Sequence, residues 1–331
     1  MNPFTNVGMD SVVHVDAPVR LTSAAIVERL RPALTRLGMR DDLLEEVAGI
    51  RERRIWDEPT PVASAAAMAG RKALDGCGIE ADRIGVLIST SVSRDYIEPS
   101  TASVVHGKLG LPTTCRNFDV GNACLAFIDG MDLAGRMIEY GEIEAALIVN
   151  GESSNEVISR TIDRLNGPDA TAEQFRAEFA SLTLGSGATA MVLSRNGTHR
   201  YLGGVTRAAT EFSHLCRGTM ERMVTDTRIL LEEGLKLAAR TFEAARWDPA
   251  DFDEFAIHQV SAVHTTSLMG LLGLDPAKVL TIFGEHGNVG PASVPMVLSK
   301  LDELGRLRPG HRVALMGIGS GLNCTMAEIL W

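Results

Sequence analysis

Apolar positions recur along this chain with two periods, and the two alternate. Between residues 121 and 151 (GNACLAFIDGMDLAGRMIEYGEIEAALIVNG) Leu125, Ile128, Met131 and Ile138 return at helical intervals, against Asp129, Asp132, Arg136 and Glu139. A Gly-containing loop follows, then an apolar strand over 146–149. Residues 287–317 (GNVGPASVPMVLSKLDELGRLRPGHRVALMG) have the same length and the same reading, with a strand over 313–316. In this second copy Pro291 suits a first helical turn and Gly305 a helix stop. The correspondence extends upstream. A strand over 84–89 (IGVLIS) leads to a Ser/Thr-rich helix start and then KLGLP; a strand at 255–258 (FAIH) leads to a helix over 261–269 and then LGLDP. Each half therefore reads strand, helix, strand, helix, strand, a pattern that predicts an α/β fold of mainly parallel sheets covered by helices.

The predicted halves are residues 1–195 and 196–331, dividing near the turn-rich Arg195-Asn196-Gly197-Thr198. The segment 155–180 has no counterpart in the second half. It reads as helical with a Gly-Pro-Asp break, and an excursion of this kind suits a lid or a binding wall. The length, 331 residues, agrees with two fused halves better than with one core. A net charge of −10 argues against a general nucleic-acid binder. The start, MNPFTNVGMDSVVHVDAP, does not read as a signal peptide, and no apolar window is long enough to span a membrane, so a cytoplasmic location is expected. The five cysteines are odd in number and show no CxxC spacing, which fits a reducing compartment and excludes a zinc-ribbon pattern. One short basic run, GIRERR, offers Arg51, Arg53 and Arg54 as candidate contacts for an anionic ligand such as coenzyme A; a solvated turn is the competing reading.

The segment DVGNACLAFIDG, residues 119–130, sets a thiol at the mouth of a helix. Packing is the plain reason for such a cysteine. Nucleophilic catalysis is the other, because free N–H groups and the helix dipole at that point favour a thiolate and are expected to lower the thiol pKa. The repeat aligns Asn122 with Asn288 and Cys124 with Gly290, and pseudo-symmetry would bring the two helix starts together. His258 falls at the end of a predicted strand, where ligands of parallel sheets collect. Asn288, in GEHGNVGPAS, would donate a hydrogen bond in the same pocket. The run 317–321 (GIGSG) exposes backbone N–H groups suited to an oxyanion hole. No nucleotide-binding glycine motif is present, so no nucleotide cofactor is expected.

The order of D-x-x-x-A-C, His-Gln at a strand end, G-N-x-G-x-A-S and a closing Gly-rich loop resembles the thiolase superfamily, in its ketoacyl-ACP synthase III branch. The stretches TSVSRDYIEPSTAS, FDVGNACLAFIDGMD, MVTDTR and TIFGEHGNVGPASVP are similar to the OleA-type, head-to-head acyl-CoA condensing enzymes of olefin and β-lactone biosynthesis. The resemblance implies a five-layered αβαβα thiolase fold from two pseudo-symmetric halves and an obligate homodimer. It further implies transfer through a Cys124 thioester with His258 and Asn288 as partners, and an oxyanion hole from the N–H groups of Cys124 and Ser320. It also implies that Glu98 acts as a base contributed across the dimer interface; the residue alone reads as a loop carboxylate.

The substrates implied are fatty acyl-CoA thioesters, with no cofactor and no metal, and further partners would be downstream enzymes of an olefin or β-lactone pathway. Carrier-protein-using synthases show His-Gln-Ala-Asn followed closely by Arg, whereas here the run is His258-Gln259-Val260-Ser261-Ala262-Val263-His264. That departure favours coenzyme A thioesters. The resemblance, through Glu98 as base, implies a non-decarboxylating Claisen condensation to a 2-alkyl-3-ketoacyl product, released as a β-keto acid. A decarboxylating 3-oxoacyl-ACP synthase III-type enzyme using malonyl thioesters and a non-catalytic partner subunit of a heterodimer are the alternatives.

Overall fold

A computed structural model describes residues 4–57, 60–219 and 221–331. In chain order the first part comprises β1 (Val7–Asp16), β2 (Val19–Thr22), α1 (Ser23–Leu37), β3 (Glu52–Ile55), α2 (Val62–Cys77), β4 (Ile84–Ser89), α3 (Thr101–Leu109), β5 (Arg116–Asp119), α4 (Ala126–Glu139), β6 (Ala145–Glu152), α5 (Asn155–Asn166), α6 (Ala172–Glu178) and β7 (Gly187–Arg195). The remainder comprises β8 (His199–Ala208), β9 (Cys216–Gly218), β10 (Met223–Thr225), α7 (Thr227–Ala245), β11 (Glu254–Ile257), α8 (Ala262–Leu272), α9 (Phe283–His286), α10 (Ser293–Glu303), β12 (Arg312–Gly319) and β13 (Asn323–Leu330). The strand–helix correspondence seen in the sequence holds in part: β4, α3, α4 and β6 have counterparts in β11, α8, α10 and β12, but among the described residues no strand lies between α8 and α10 to match β5, so the middle strand expected in the second half is corrected.

Nine strands join in the order β11-β12-β13-β8-β1-β7-β6-β4-β5. The expectation of mainly parallel sheets is corrected here. Only β4 with β5, β4 with β6, and β11 with β12 run parallel, because only these are linked through crossover helices; the other neighbours are antiparallel. β12, for instance, turns straight back into β13. β1 and β8 share just two residue pairs, Gly8 with Arg200 and Met9 with His199. A side chain on Gly8 would run into the backbone of Gly197, so glycine is required for that approach.

Three apolar clusters stack along one direction. Ala65, Ala69, Val105 and Leu109 of α2 and α3 pack on Leu87 and Leu147. Ile128, Met131 and Ile138 of α4, with Met296, Val297 and Leu301 of α10, fill the middle between Ile148 and Leu315. Leu237, Ala238, Leu268 and Leu272 of α7 and α8 cover Phe255, Ile257 and Met326. The layers are thus helix, sheet, helix, sheet, helix, the two sheet layers being the β11-β12-β13-β8 and β1-β7-β6-β4-β5 parts of the nine-strand order, joined only by the two residue pairs of β1 and β8. α4 and α10 are sandwiched between sheets, and so they are buried on most sides rather than on one stripe.

The segment 155–180 forms α5 and α6 with the break at Gly167, and its Ile158, Ile162, Leu165 and Phe175 pack against Ile26, Leu30 and Leu34 of α1. Fully buried Glu178 accepts from Arg164 at 2.7 Å and pairs with Arg222 at 3.1 Å, which ties this segment to the hairpin of β9 and β10. Among the described residues, no helix is long and apolar enough to cross a membrane, and no cluster of His, Cys, Asp and Glu is placed to hold a metal ion.

Candidate active site

The turn between β5 and α4 is built to present one residue. Ala123 has φ 47, a conformation L residues rarely adopt, and Cys124 follows it directly. Leu125 N donates to Asn122 O at 3.0 Å and Ala126 N to Ala123 O at 3.1 Å. The Asn122 side chain is held at both ends: Nδ2 donates to Asp129 Oδ2 at 2.6 Å, and Oδ1 accepts from Asn323 Nδ2 at 3.0 Å. This bridge fastens the cysteine turn to the turn between β12 and β13. Close approach explains the glycines there. A Cβ on Gly317 would sit 2.5 Å from Leu125 Cδ2, and one on Gly319 would sit 3.3 Å from Cys124 N. Neither the Cys124 N–H nor the Ser320 N–H is consumed by the turn and loop bonds around it.

His258 lies just past β11, with its N–H donating to Met316 O at 2.8 Å. Its Nε2 is 3.4 Å from Asn288 Oδ1, which also accepts from Gly290 N at 3.0 Å. The Asn288 backbone is fixed between Thr183 O and Gly185 N, both at 2.9 Å. His258, Asn288 and Ser320 open onto one cavity whose deeper walls are apolar, with Leu230, Leu235 and Met326 among them; Ala180, Met223 and Thr225 line it as well.

The expectation of a lowered thiol pKa is corrected. Burial, with Cys216 and the Glu152 carboxylate nearby, pushes the Cys124 thiol up to about 12. Cys124 is half-buried and does not itself line the cavity, which approaches its turn through Gly317, Gly319 and Ser320. His258 is lowered to about 4, first by burial and then by His264, against its hydrogen bonds to Asn288 and the Ile318 backbone. His264, another cavity residue, is lowered to about 4 by burial. Both imidazoles are therefore neutral at physiological pH.

A third histidine, His14, is lowered to about 4 by burial and by Lys300. All three fall below the 6.5 of an unperturbed histidine. Between those values the unfolded chain binds more protons than the folded one, so stability falls as pH drops from about 6.5 towards 4. Glu152, Asp129 and Glu254, whose pKa values are raised by burial, oppose this at the lower end. Denaturant midpoints are expected to decrease in order at about pH 7.5, 6 and 5; a constant midpoint contradicts the reading.

Not every sequence candidate joins this constellation. Arg53 is fully buried, and it donates to Leu21 O, Ser23 Oγ and Leu182 O. It braces the interior and is out of reach of a phosphate, so the basic run is not a continuous anion patch. Arg51 is exposed and pairs with Glu285 at 3.0 Å, and Arg54 is half-buried. Glu98 is exposed on the loop after β4, beside exposed Tyr96 and Ile97, and does not line the cavity of its own chain. Two cavity neighbours, His264 and Cys216, were not sequence candidates. Neither was Glu152, whose signal was an acidic residue closing an otherwise apolar strand.

This fold and cysteine centre define a thiolase-type condensing enzyme. The chain matches the 3-oxoacyl-[acyl-carrier-protein] synthase III family over residues 118–209 and the C-terminal region of that family over residues 242–331. It is 57% identical to an acyl-CoA:acyl-CoA alkyltransferase of Xanthomonas campestris and 32% identical to one of Shewanella oneidensis, with 99% of each chain covered in both cases. Crystal structures of Xanthomonas campestris OleA superpose with a TM-score of 0.98 for a cerulenin-bound form, over 99% of this chain and 98% of that one. A variant with bound lauric acid and lauroyl-CoA gives 0.97, over 99% and 100%. The chain belongs to the OleA-type acyl-CoA:acyl-CoA alkyltransferases, a family of thiolase-fold acyltransferases.

Proposed function

We propose that the protein condenses two fatty acyl-CoA molecules without decarboxylation, through a thioester on Cys124. The observation that carries this is one apolar cavity reaching His258, Asn288 and Ser320 at the cysteine turn. The Cys124 sulfur attacks the first thioester carbonyl; the C–S bond to coenzyme A breaks, and the thiol proton leaves on the departing coenzyme A. No lasting proton acceptor is needed, so a neutral resting thiol is compatible with the step. The N–H groups of Cys124 and Ser320 hold the developing oxyanion.

A second acyl-CoA then binds with its thioester carbonyl towards His258 and Asn288. As a neutral imidazole, His258 can donate a hydrogen bond to that oxygen without a proton being supplied from solvent. Glu98 of a second copy removes the α-proton, and the carbanion attacks the Cys124 acyl carbon. The bond to sulfur breaks, Cys124 regains a proton, and hydrolysis of the remaining thioester leaves a β-keto acid and coenzyme A. A relative's crystal structures include variants at one glutamate and one cysteine, as far apart in that chain as Glu98 and Cys124 are here. Exposed Val92, Tyr96 and Ile97 in the loop that carries Glu98 support a homodimer.

No cofactor enters these steps. Of the two halves, 1–195 and 196–331, the second supplies nearly all of the pocket's lining, and the first adds Ala180 at the end of the 155–180 segment; Arg51 and Arg54 remain the candidates for coenzyme A contact. The unpaired cysteines suit a cytoplasmic protein, and the product suits a downstream olefin or β-lactone enzyme. Purified protein given lauroyl-CoA alone is expected to release free coenzyme A and a 2-alkyl-3-keto acid carrying both chains, identified by mass. Coupling that requires added malonyl thioester would instead establish the decarboxylating reaction.

A further inference from the structure

Glu152 closes β6 and is buried, yet among the described residues no cation pairs with it. Its carboxylate is filled by other donors. Oε1 accepts from Val92 N at 2.8 Å and Asn150 Nδ2 at 3.1 Å; Oε2 accepts from Ser93 N at 3.0 Å and Ser93 Oγ at 2.7 Å. Three of these four bonds go to the first residues of the loop that carries Glu98. A buried carboxylate without a counter-ion is costly, and its hydrogen bonds only offset that cost. An apolar side chain would fill the space at less cost but would leave the Val92 and Ser93 N–H groups unpaired.

The loop is clamped a second time. Asp95 accepts from Val62 N at 2.7 Å and Ala63 N at 2.8 Å, at the start of α2. Tyr96, Ile97 and Glu98 follow this clamp and stand out from the surface, with Ile97 93% exposed. On its other side Glu152 faces the reaction centre: its Cδ would lie 3.9 Å from a Cβ on Gly290, in the turn that carries Asn288. One side chain thus bonds the root of the arm presented to a second copy and lies close to the turn that carries Asn288 in its own chain.

We infer that Glu152 is a positioning residue: it fixes Val92 and Ser93 so that the arm beyond them delivers Glu98 to the neighbouring copy's cysteine pocket. This rests on the reading of Glu98 as the base. Misplacing a reacting group by about 1 Å can cost on the order of 10²-fold. Glu152→Gln keeps the size of the side chain but turns an NH2 towards one of the donors it now accepts from.

The test is a double-mutant cycle in the full-length protein, with lauroyl-CoA as substrate. It follows the first burst of free coenzyme A and the yield of coupled product for Glu152→Gln, Glu98→Gln and the double variant. The expected result is a burst that does not fall, since removing the Glu152 charge can only ease loss of the Cys124 proton, and a fall in coupling of about 10²-fold for Glu152→Gln, with no further loss when it is added to Glu98→Gln. Multiplying losses, or a burst that falls with coupling, overturn the positioning role and leave the base reading standing. Full coupling by Glu98→Gln alone overturns the base reading itself. If Glu152→Gln does not fold, Ser93→Ala replaces it by removing the 2.7 Å donor; the same split, of smaller size, is expected, and its multiplication with Glu98→Gln is equally fatal.

Discussion

Cys124→Ala is expected to give a folded protein that gains no acyl group from lauroyl-CoA and forms no coupled product. Deleting one sulfur beside a channel costs on the order of 1 kcal/mol of stability, because Asn122, Asn323 and the α4 start fix the turn without it. Losing a covalent nucleophile costs far more in rate, roughly 10⁴-fold or more. The check is intact mass after incubation, followed by peptide mapping, with the thermal midpoint as control. An acyl adduct on the variant would move the nucleophile elsewhere, with Cys216 the first place to look, since it lines the cavity together with His258 and Asn288.

Glu98→Gln is expected to separate the two half-reactions. Acylation of Cys124 breaks no C–H bond, whereas coupling must remove an α-proton from a carbon with no carboxyl group to lose. A positioned base is worth ~10²–10⁴-fold, so coupled product should fall by about that factor while the burst of coenzyme A persists. Glutamine keeps the shape of the exposed loop, so dimer formation should be preserved, which sedimentation can verify. A simultaneous fall of burst and coupling would make Glu98 structural. No fall in either would assign the proton to another group.

Much of the frame was legible because duplication leaves a periodic trace. Two Gly-Asn turns, each followed by a helix and a strand, placed Asn122 and Asn288 at corresponding points, with Cys124 two residues past the first, and the 84–89 strand was read to its observed ends. Strand direction was less legible. Hydropathy marks a buried strand but carries no record of which neighbour it pairs with, so antiparallel β1, β7, β8 and β13 were not anticipated. Arg53 was misread for a related reason: charge in a sequence suggests solvent, while three oxygen acceptors can hold a guanidinium inside. The pKa of Cys124 lay beyond sequence reasoning because it depends on Glu152 and on burial, and both are set by distant segments.

The neutral resting thiol has a consequence for chemical vulnerability. Peroxide and small soft electrophiles attack thiolates, and a sulfur that keeps its proton offers them little. Reactivity at this centre is then a property of the guest: a molecule must bring its own activated carbon along an apolar corridor before the sulfur has anything to attack. Irreversible blockers of this protein should accordingly be sought among long-tailed electrophiles whose potency rises with tail length, rather than among the most reactive warheads.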